Sequence, residues 1–510
     1  MSDFTLDELR RAIALLEMFV ANRARLSEVP DAERVALLVA AGRVSRPTRH
    51  EAQRATKAFR KTSRKAAQAA DRQARASTEI REARRADVFC APPQLVGAPE
   101  TQDDRRELAQ PRACYVCKAE YRRLHFFYDS MCPSCAQLNY EKRFQTTSLE
   151  GRVALITGAR IKIGFQAALK LLRAGARVLV TTRFPRDAAQ RFSRESDFDK
   201  WRDRIEVFGL DLRHSPSVEL FARYLVQSRS RLDLLINNAA QTVRRPPGFY
   251  AHLLDLESRR FEDLAPEVQP LLRAHEACKA ALSSPALRPA APESTAGLVS
   301  WRGGDEGIGI RSPAMLSQLM CVGDDADGGR KLFPAGRTDA DLQQIDLRTM
   351  NSWRLALGDV PSAEMLEVQL VNAVAPFILA SKLKPLMLRH RTDDKHIVNV
   401  SAMEGQFARR TKTDKHPHTN MAKAALNMMT FTSAPDYAKD GIFMNAVDTG
   451  WVTDEDPVEL SRRKQEAHDF QPPLDIVDGA ARICDPFISG LLTGVHVSGK
   501  FLKDYAAVAW

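Results

Sequence analysis

A buried strand, a tight turn, a helix and a second buried strand follow one another between residues 150 and 183, and this pattern constrains the fold of the chain most. The apolar run 153–157 leads into Gly158, a helical pattern follows, and a second apolar run covers 178–182. The glycine permits the tight turn, and the free N–H groups at the start of the next helix can bind a pyrophosphate. Such a βαβ unit requires parallel strands, so we expect an α/β sheet.

The length of the chain predicts more than one folded unit. Its 510 residues are two to four times an ordinary domain. A composition of 44% hydrophobic and 27% charged residues is typical of a globular protein and excludes collagen-like or low-complexity chains.

Polar residues recur in a fixed order at the ends of the later apolar runs. The segments are GLDLRH around Asp211, LLINNAA around Asn238, QLVNAVAPF around Asn372, HIVNVSAMEG around Ser401 and NMAKAALNMM around Lys423. This series resembles the short-chain dehydrogenase/reductase family, from about Gly151 to the C-terminus. The resemblance implies an α/β fold with a doubly wound parallel sheet, Rossmann-like, over residues 150–510.

The resemblance also implies a long insertion. The Asn-Asn-Ala turn at 237–239 and the helix that carries Asn372 lie 134 residues apart when counted from Asn238, several times a usual connection. We therefore predict an insertion at about 242–363, at the C-terminal edge of the sheet, and expect it to cover the active site.

For a cofactor, the resemblance assigns ten residues: Thr157, Gly158, Arg160, Ile163, Gly164, Arg183, Asp211, Asn238, Ala239 and Lys423. The family's middle glycine is replaced by Lys162, which adds a side chain and a positive charge beside the expected pyrophosphate. The second strand ends without an acidic residue for the ribose 2′-hydroxyl, and Arg183 could pair with a 2′-phosphate instead. This pattern favours NADP over NAD, unless Arg183 is an ordinary surface residue.

The catalytic set that the resemblance implies is Asn, Ser, Tyr and Lys. Asn372, Ser401 and Lys423 match three members of this set. Thr419 stands one helical turn before Lys423, where the family has its tyrosine. Because an aliphatic hydroxyl is far less acidic than a phenol, Thr419 is a poor general acid or base.

Two pairs of cysteines predict a metal site. Cys114 and Cys117 are separated by fourteen residues from Cys132 and Cys135, and four thiolates can close a tetrahedron around a structural zinc. The alternative is four buried cysteines without a metal. We expect a small module over 111–145 that resembles a zinc ribbon or treble clef, with a hairpin between the pairs and a helix after the second. His125 is more typical of a packing residue than of a ligand.

Most of the net charge of +11 lies in one segment. Residues 46–86 hold thirteen Lys or Arg against four acidic residues, a net charge of +9. After an amphipathic helix pair in 5–42, residues 48–85 lack Gly and Pro and predict one long basic helix, inside a helical region over 1–90. That helix is either a solvated arm or a weak binding surface for nucleic acid or another anionic partner.

Two functions are compatible with these residues. The first is an NADP-linked oxidoreductase for a carbonyl or alcohol substrate, with His416 or His418 carrying the proton. The second is a non-catalytic dinucleotide-binding sensor or scaffold. Because the chain shows no signal-peptide pattern and no run of 18 apolar residues, we expect a cytoplasmic protein that does not enter a membrane. The sequence leaves the small-molecule substrate and a homo-oligomeric state open.

Overall fold

The computed structural model describes residues 5–86, 88–89, 106–284, 287, 305–323, 325, 331–409 and 412–510. The end of the predicted 1–90 region and parts of the predicted insertion lie outside these residues. The chain forms two compact units, one up to residue 71 and one from residue 72 onward.

The first unit consists of helices. They are α1 (Leu6–Ala21), α2 (Asp31–Ser45) and most of α3 (Arg49–Ala76). Thr5 caps α1 through a capping box with Glu8, and Pro30 stands directly before α2. The predicted helix pair is thereby confirmed. None of the residues of α1 and α2 is buried.

The predicted single basic helix over 48–85 is wrong for its last part. Helix α3 ends at Ala76, and a separate short helix, α4 (Glu79–Ala83), follows. Thr78, between the two helices, and Ile80, in α4, are each at most 1% exposed. Arg81 of α4 forms a buried ion pair with Asp129 at 2.6 Å. The chain turns here because Thr78, Ile80 and Arg81, which belong to the second unit, are buried inside it.

A small module follows, built from an antiparallel hairpin and a helix. Its elements are β1 (Glu107–Ala113), β2 (Glu120–Arg123) and α5 (Pro133–Phe144). The first cysteine pair lies at the tip of the hairpin, so the prediction of a hairpin between the two pairs is wrong. The helix after the second pair is confirmed, because Cys132 is the N-cap of α5.

The core of the second unit is an eight-stranded sheet. Its strands are β3 (Val153–Thr157), β4 (Arg177–Thr182), β5 (Ile205–Gly209), β6 (Leu234–Asn237), β7 (Lys395–Ser401), β8 (Ile442–Asp448), β9 (Phe501–Lys503) and β10 (Ala506–Val508). The strand order is β10-β9-β8-β7-β6-β3-β4-β5. All neighbouring pairs are parallel except β9 and β10. The predicted Rossmann-like sheet is confirmed, and the strand order reverses between β3 and β6.

The helices of the second unit connect and cover these strands. They are α6 (Lys162–Arg173), α7 (Pro185–Ser193), α8 (Ser215–Ser228), α9 (Pro247–Tyr250), α10 (Leu254–Ser258), α11 (Gln269–Ala281), α12 (Ile308–Arg311), α13 (Pro313–Leu316), α14 (Ser362–Gln369), α15 (Ala375–Leu388), α16 (Pro417–Ala438), α17 (Val458–His468) and α18 (Ile476–Thr493). One apolar core joins α6, α7 and α18 to the sheet, and a second joins α8, α15 and α16.

The stretch from α14 to α15 has the length and apolarity of a membrane span. It covers Ser362–Leu388, and half of its most apolar 18 residues are buried inside the protein. A core helix of a sheet layer has the same properties, so this stretch is weak evidence for a membrane.

Helix α11 of the insertion covers the β5 edge of the sheet instead of lying over the cleft. The backbone N–H of Gly209 at the end of β5 donates to Nδ1 of His275 at 3.3 Å. Burial lowers the pKa of His275 to about 3, which keeps its ring neutral and able to accept this bond. The expectation that the insertion covers the active site therefore does not hold for α11, although other residues of the insertion, such as Tyr250 and Gln343, line the cleft.

Candidate functional site

A cleft of about 370 Å³ opens at the carboxyl ends of the strands, beside the point where the strand order reverses. Open α/β sheets bind their ligands at this place. Eight of the ten residues predicted for a cofactor line it: Gly158, Arg160, Ile163, Gly164, Arg183, Asp211, Asn238 and Ala239. Thr157 lies directly behind, where its hydroxyl accepts a bond from the N–H of Ala239 at 3.0 Å. The tenth, Lys423, is not part of the lining.

Two glycines are required by the close packing at the phosphate turn. A Cβ on Gly158 would lie 2.8 Å from Cα of Ala239, and the φ of Gly158 is +68°. A Cβ on Gly164 would lie 2.5 Å from the carbonyl oxygen of Gly158 and 2.4 Å from Nδ2 of Asn238. The start of α6 can approach the turn only without these side chains.

Lys162 adopts a left-handed backbone conformation, which glycine tolerates more readily than other residues. Its φ is +54°, in the left-handed region that costs a side-chain-bearing residue roughly 1 kcal/mol. Its charge acts on Asp341 of the insertion: burial raises the pKa of this carboxyl, and Lys162 opposes the rise. Arg191 donates to the carbonyl oxygens of Asp341 and Leu342 at 2.9 and 3.0 Å. A segment of the insertion thus lies beside the phosphate turn.

The two predicted arginines of the cleft differ in their partners. Arg183 donates to the Tyr250 hydroxyl at 2.6 Å and stacks on the Tyr250 ring. Arg160 forms an ion pair with Asp187 at 2.7 Å. Because a carboxylate already neutralises Arg160, Arg183 is the better candidate to bind a ligand's anionic group.

Asp211 meets the cleft with its carboxylate already paired. Both of its oxygens accept bonds from the guanidinium of Arg213, which also pairs with Glu367 at 2.9 Å. Burial alone would raise the pKa of Asp211, but Arg213 outweighs it and holds this pKa below its usual range.

Some cleft residues were not predicted from the sequence. Arg213, Tyr250 and Gln343 line the cleft as well. The position of Arg213, two residues after Asp211, could have suggested it. Tyr250 and Gln343 belong to the insertion, where no motif marks them.

The four residues predicted for catalysis are buried, and none of them lines the cleft. Asn372 lies in a π-helical turn, Leu370–Val374. Its side-chain oxygen accepts from the Gln241 N–H at 2.7 Å, and its amide donates to the Gln241 carbonyl at 3.2 Å. Ser401 ends β7 and donates to Oδ1 of Asn427 at 2.5 Å. Two of the predicted groups therefore bond to the protein itself.

Thr419 and Lys423 share helix α16, as predicted. Nζ of Lys423 donates to the Val400 carbonyl at 2.7 Å. Burial, opposed by Glu404 and Asp448, lowers the pKa of Lys423 to about 8. Within the part of the chain that the structure describes, the Thr419 hydroxyl has no hydrogen-bond partner.

A strap of the insertion, residues 351–355, lies against the start of α16. The ring of Trp353 stacks on His416 with 3.8 Å between centroids, and the His416 N–H donates to the Leu355 carbonyl at 2.8 Å. The Asn351 side chain donates to the Glu455 carbonyl at 2.8 Å. The strap thus joins helix α16 to the loop that follows β8.

His418 does not line the cleft either. Its Nε2 lies 3.5 Å from a carboxylate oxygen of Glu364, and its side chain is 2% exposed. The proposed alternative proton carrier is therefore placed in a buried pair with a carboxylate.

The sulfur atoms of Cys114, Cys117, Cys132 and Cys135 lie within 4.8 Å of one another. The Cys117 and Cys132 sulfurs are 3.7 Å apart. This distance is close to the edge of a tetrahedron with metal–sulfur bonds of about 2.3 Å, and much longer than a disulfide. The ring of His125 instead accepts from the backbone N–H groups of Phe127 and Tyr128. The four thiols could thus hold a metal ion without a histidine.

A doubly wound sheet with a glycine-bounded cleft at its switch point defines a dinucleotide-binding type of α/β protein. The sequence model for short chain dehydrogenase matches residues 152–261, and the model for enoyl-(acyl carrier protein) reductase matches residues 350–472. The stretch between these matches falls inside the predicted insertion. The chain belongs to the short-chain dehydrogenase/reductase family.

Relatives match it over different lengths. An uncharacterized protein of Acanthamoeba polyphaga mimivirus is 28% identical over 391 residues, 74% of this chain and 71% of that protein. Dehydrogenase/reductase SDR family member 13 of Bos taurus is 38% identical over 92 residues, 18% of this chain and 24% of that relative. The chain thus spans about a quarter of this curated dehydrogenase.

Two solved structures are also similar to this chain. RhlG of Pseudomonas aeruginosa, in an NADP complex, is 17% identical with a TM-score of 0.40, covering 70% of this chain and 95% of that chain. A dehydrogenase/reductase from Sinorhizobium meliloti is 18% identical with a TM-score of 0.40, covering 72% of this chain and 96% of that chain.

Proposed function

We propose that this chain binds a nicotinamide dinucleotide in the cleft and does not use it for efficient carbonyl reduction. One observation carries the proposal: the cleft is lined by eight residues predicted for the cofactor and by none of the four predicted for catalysis. The buried side chains of Asn372 and Ser401 bond to the protein, and Thr419 supplies no acidic phenol.

The preferred dinucleotide in this proposal is NADP. Arg183 lines the cleft at the end of β4, and its contact with Tyr250 is to a neutral hydroxyl. A 2′-phosphate could therefore pair with this guanidinium without displacing a carboxylate.

Titration with NADPH and NADH, followed by nicotinamide fluorescence, tests this assignment. We expect the unchanged protein to bind NADPH more tightly than NADH. In Arg183→Ala, the ratio of the two affinities should fall by a factor of roughly 10 to 100. Arg177→Ala is the matched control, because Arg177 lies at the opposite end of β4 and pairs with Glu206. Equal binding of both cofactors by the unchanged protein would contradict the NADP assignment.

A second experiment on the same protein tests whether it reduces carbonyl compounds with NADPH. We expect NADPH to bind while simple aldehydes and ketones cause little oxidation of it. Rapid turnover would contradict the proposal and support an oxidoreductase.

The buried pair of His418 and Glu364 favours a second candidate, an oxidoreductase with a changed proton relay. Nε2 of His418 lies 3.5 Å from a carboxylate oxygen of Glu364, so two groups that can exchange a proton are neighbours. This candidate predicts turnover that is lost in His418→Ala and kept in Thr419→Ala, with unchanged NADPH affinity in both variants.

We further propose that the four cysteines bind one structural zinc. Soft thiolates in a closed set of four are the preferred ligands of such a site. Elemental analysis of protein purified without chelator should find about one zinc per chain. Cys132→Ser should lose it, whereas Cys321→Ser, an exposed cysteine outside the cluster, should keep it.

We also propose that the exposed part of the basic segment, residues 46–86, binds an anionic partner weakly. Arg75 and Arg81 pair with Asp469, and Arg84 donates to the Leu474 carbonyl, so these cations already have partners. Replacing Lys57, Lys61 and Lys65 by Gln should weaken salt-dependent binding to a single-stranded oligonucleotide. Equal binding by this variant would contradict the proposal.

A further inference from the structure

The cysteine module contacts the loop that follows β8. Tyr115, the residue after Cys114, accepts a hydrogen bond on its hydroxyl from the Trp451 N–H at 2.9 Å. The preceding Gly450 has φ +75°, and a Cβ there would lie 3.2 Å from the same hydroxyl. The loop therefore fits closely around this one side chain of the module.

The module also holds the start of helix α18. Arg143 donates to Asp475 at 2.7 Å and to Asp478 at 2.8 Å, and the Tyr128 hydroxyl donates to Asp478 at 2.5 Å. Asp475 is the N-cap of α18. Because all these side chains are buried, the position of α18 depends on the module.

Both elements held in this way form one wall of the cleft. Val452 and Thr453 of the loop and Ile476 of α18 line it. Val452 packs against the apolar cluster of the module at the same time. A shift of the module would therefore move the wall of the cleft directly.

We propose that the cysteine module sets the affinity of the cleft for the dinucleotide. Tyr115 is the residue that positions the wall of the cleft, and a metal ion bound by the four cysteines holds Tyr115 in place. This inference rests on the dinucleotide binding proposed above. The hairpin tip that carries Tyr115 also carries Cys114 and Cys117, and a metal ion would join this tip to Cys132 and Cys135 on α5. Without the ion, the tip and its tyrosine lose this connection to the helix.

The test uses the full chain with zinc bound. Tyr115→Phe keeps the ring and removes the hydroxyl that accepts the Trp451 bond. We expect this variant to keep one zinc per chain and its melting temperature within a few degrees, and to bind NADPH about 3- to 10-fold more weakly. Tyr121→Phe is the matched control: that hydroxyl donates to the Asp129 carbonyl within the module, so NADPH affinity should not change.

Metal removal gives the second arm. Cys117 is the exposed member of the cluster, so Cys117→Ser should release the metal with the least disturbance of the core. We expect the NADPH affinity of Cys117→Ser to fall at least as far as that of Tyr115→Phe. A variant that combines Cys117→Ser with Tyr115→Phe should bind NADPH no more weakly than Cys117→Ser alone. Equal NADPH affinity in all of these variants would overturn the inference.

Amide exchange gives a readout that needs no ligand. Exchange of the Trp451 N–H should become faster in Tyr115→Phe and in Cys117→Ser, and stay unchanged in Tyr121→Phe. Unchanged exchange in the first two variants would also overturn the inference. A zinc-loaded, unchanged protein that binds neither NADPH nor NADH would instead contradict the proposed function.

Discussion

The phosphate turn and helix α16 have changed in opposite ways relative to the family pattern. At the turn, Lys162 replaces a glycine, yet the backbone keeps the left-handed shape and the cleft is open. On α16, Lys423 is kept, yet its ammonium is buried and bonded to the Val400 carbonyl. A binding site depends mainly on backbone shape, whereas catalysis needs side chains that reach the ligand. The turn thus keeps the shape that binding requires, while the Lys423 ammonium is bonded to the protein itself.

The largest effect should come from adding one carbon atom to the turn. Gly164→Ala brings a Cβ within 2.5 Å of the Gly158 carbonyl oxygen, so backbone must move. We expect a loss of about 1 to 3 kcal/mol in the free energy of unfolding, and loss of dinucleotide binding. Gly358→Ala, where no atom lies within 4 Å of the added carbon, is the control. Retained binding in Gly164→Ala would remove the turn from the proposed site.

Replacing the buried lysine on α16 should stabilise the protein. Its folded-state pKa of about 8 lies below the usual value of about 10.4. Lys423→Met removes a desolvated charge, and we expect a gain on the order of 1 to 3 kcal/mol at pH 7, measured by denaturant unfolding.

The pH dependence of this gain has a definite sign. Between pH 8 and about 10.4, the unfolded chain holds the Lys423 proton while the folded chain has lost it. The unchanged protein therefore becomes relatively more stable as pH rises through this window, and the advantage of the variant shrinks. Weaker NADPH binding by Lys423→Met would show that the lysine does reach the ligand.

A smaller gain is expected at the tyrosine position. The buried Thr419 hydroxyl has no partner within the described residues, so Thr419→Val should raise the free energy of unfolding by about 1 kcal/mol. Thr430 on the same helix donates to the Leu426 carbonyl and accepts from Asn399. Thr430→Val should therefore destabilise the protein. Destabilisation by Thr419→Val would indicate that its hydroxyl has a role.

The smallest effect concerns the strained residue of the turn. Lys162→Gly relieves the left-handed strain but adds freedom to the unfolded chain, so we expect a net change in stability within about 1 kcal/mol. Dinucleotide affinity should rise. Asp393, with φ 50° shortly before β7 at the end of the sheet opposite the cleft, provides the control: Asp393→Gly should change stability similarly and leave affinity unchanged.

The sheet and most of the cleft could be predicted from the sequence because they depend on local patterns. Apolar runs, glycines and the residues after each strand are sufficient to place β3, α6 and β4. The end of α3 could not be predicted, since residues 48–85 favour a helix throughout. The chain turns there because Arg81 meets Asp129 and Asp469, which lie far away in sequence.

The catalytic positions show the same limit. The residue types at Asn372, Ser401 and Lys423 follow the family, and this could be read from the sequence. Their burial could not, because it depends on partners such as Gln241 and Asn427, which no spacing rule connects to them.

Helix α11 has a consequence for how this chain meets other chains. An uncovered edge strand offers unpaired backbone groups to any extended peptide, including a partly unfolded copy. With α11 packed on β5 and the Gly209 N–H bonded to His275, strand addition on that side would require the helix to leave. The opposite edge, β10, is three residues long, and each of its residues is exposed. Sheet extension, and with it ordered aggregation, is therefore directed to the short β10 edge.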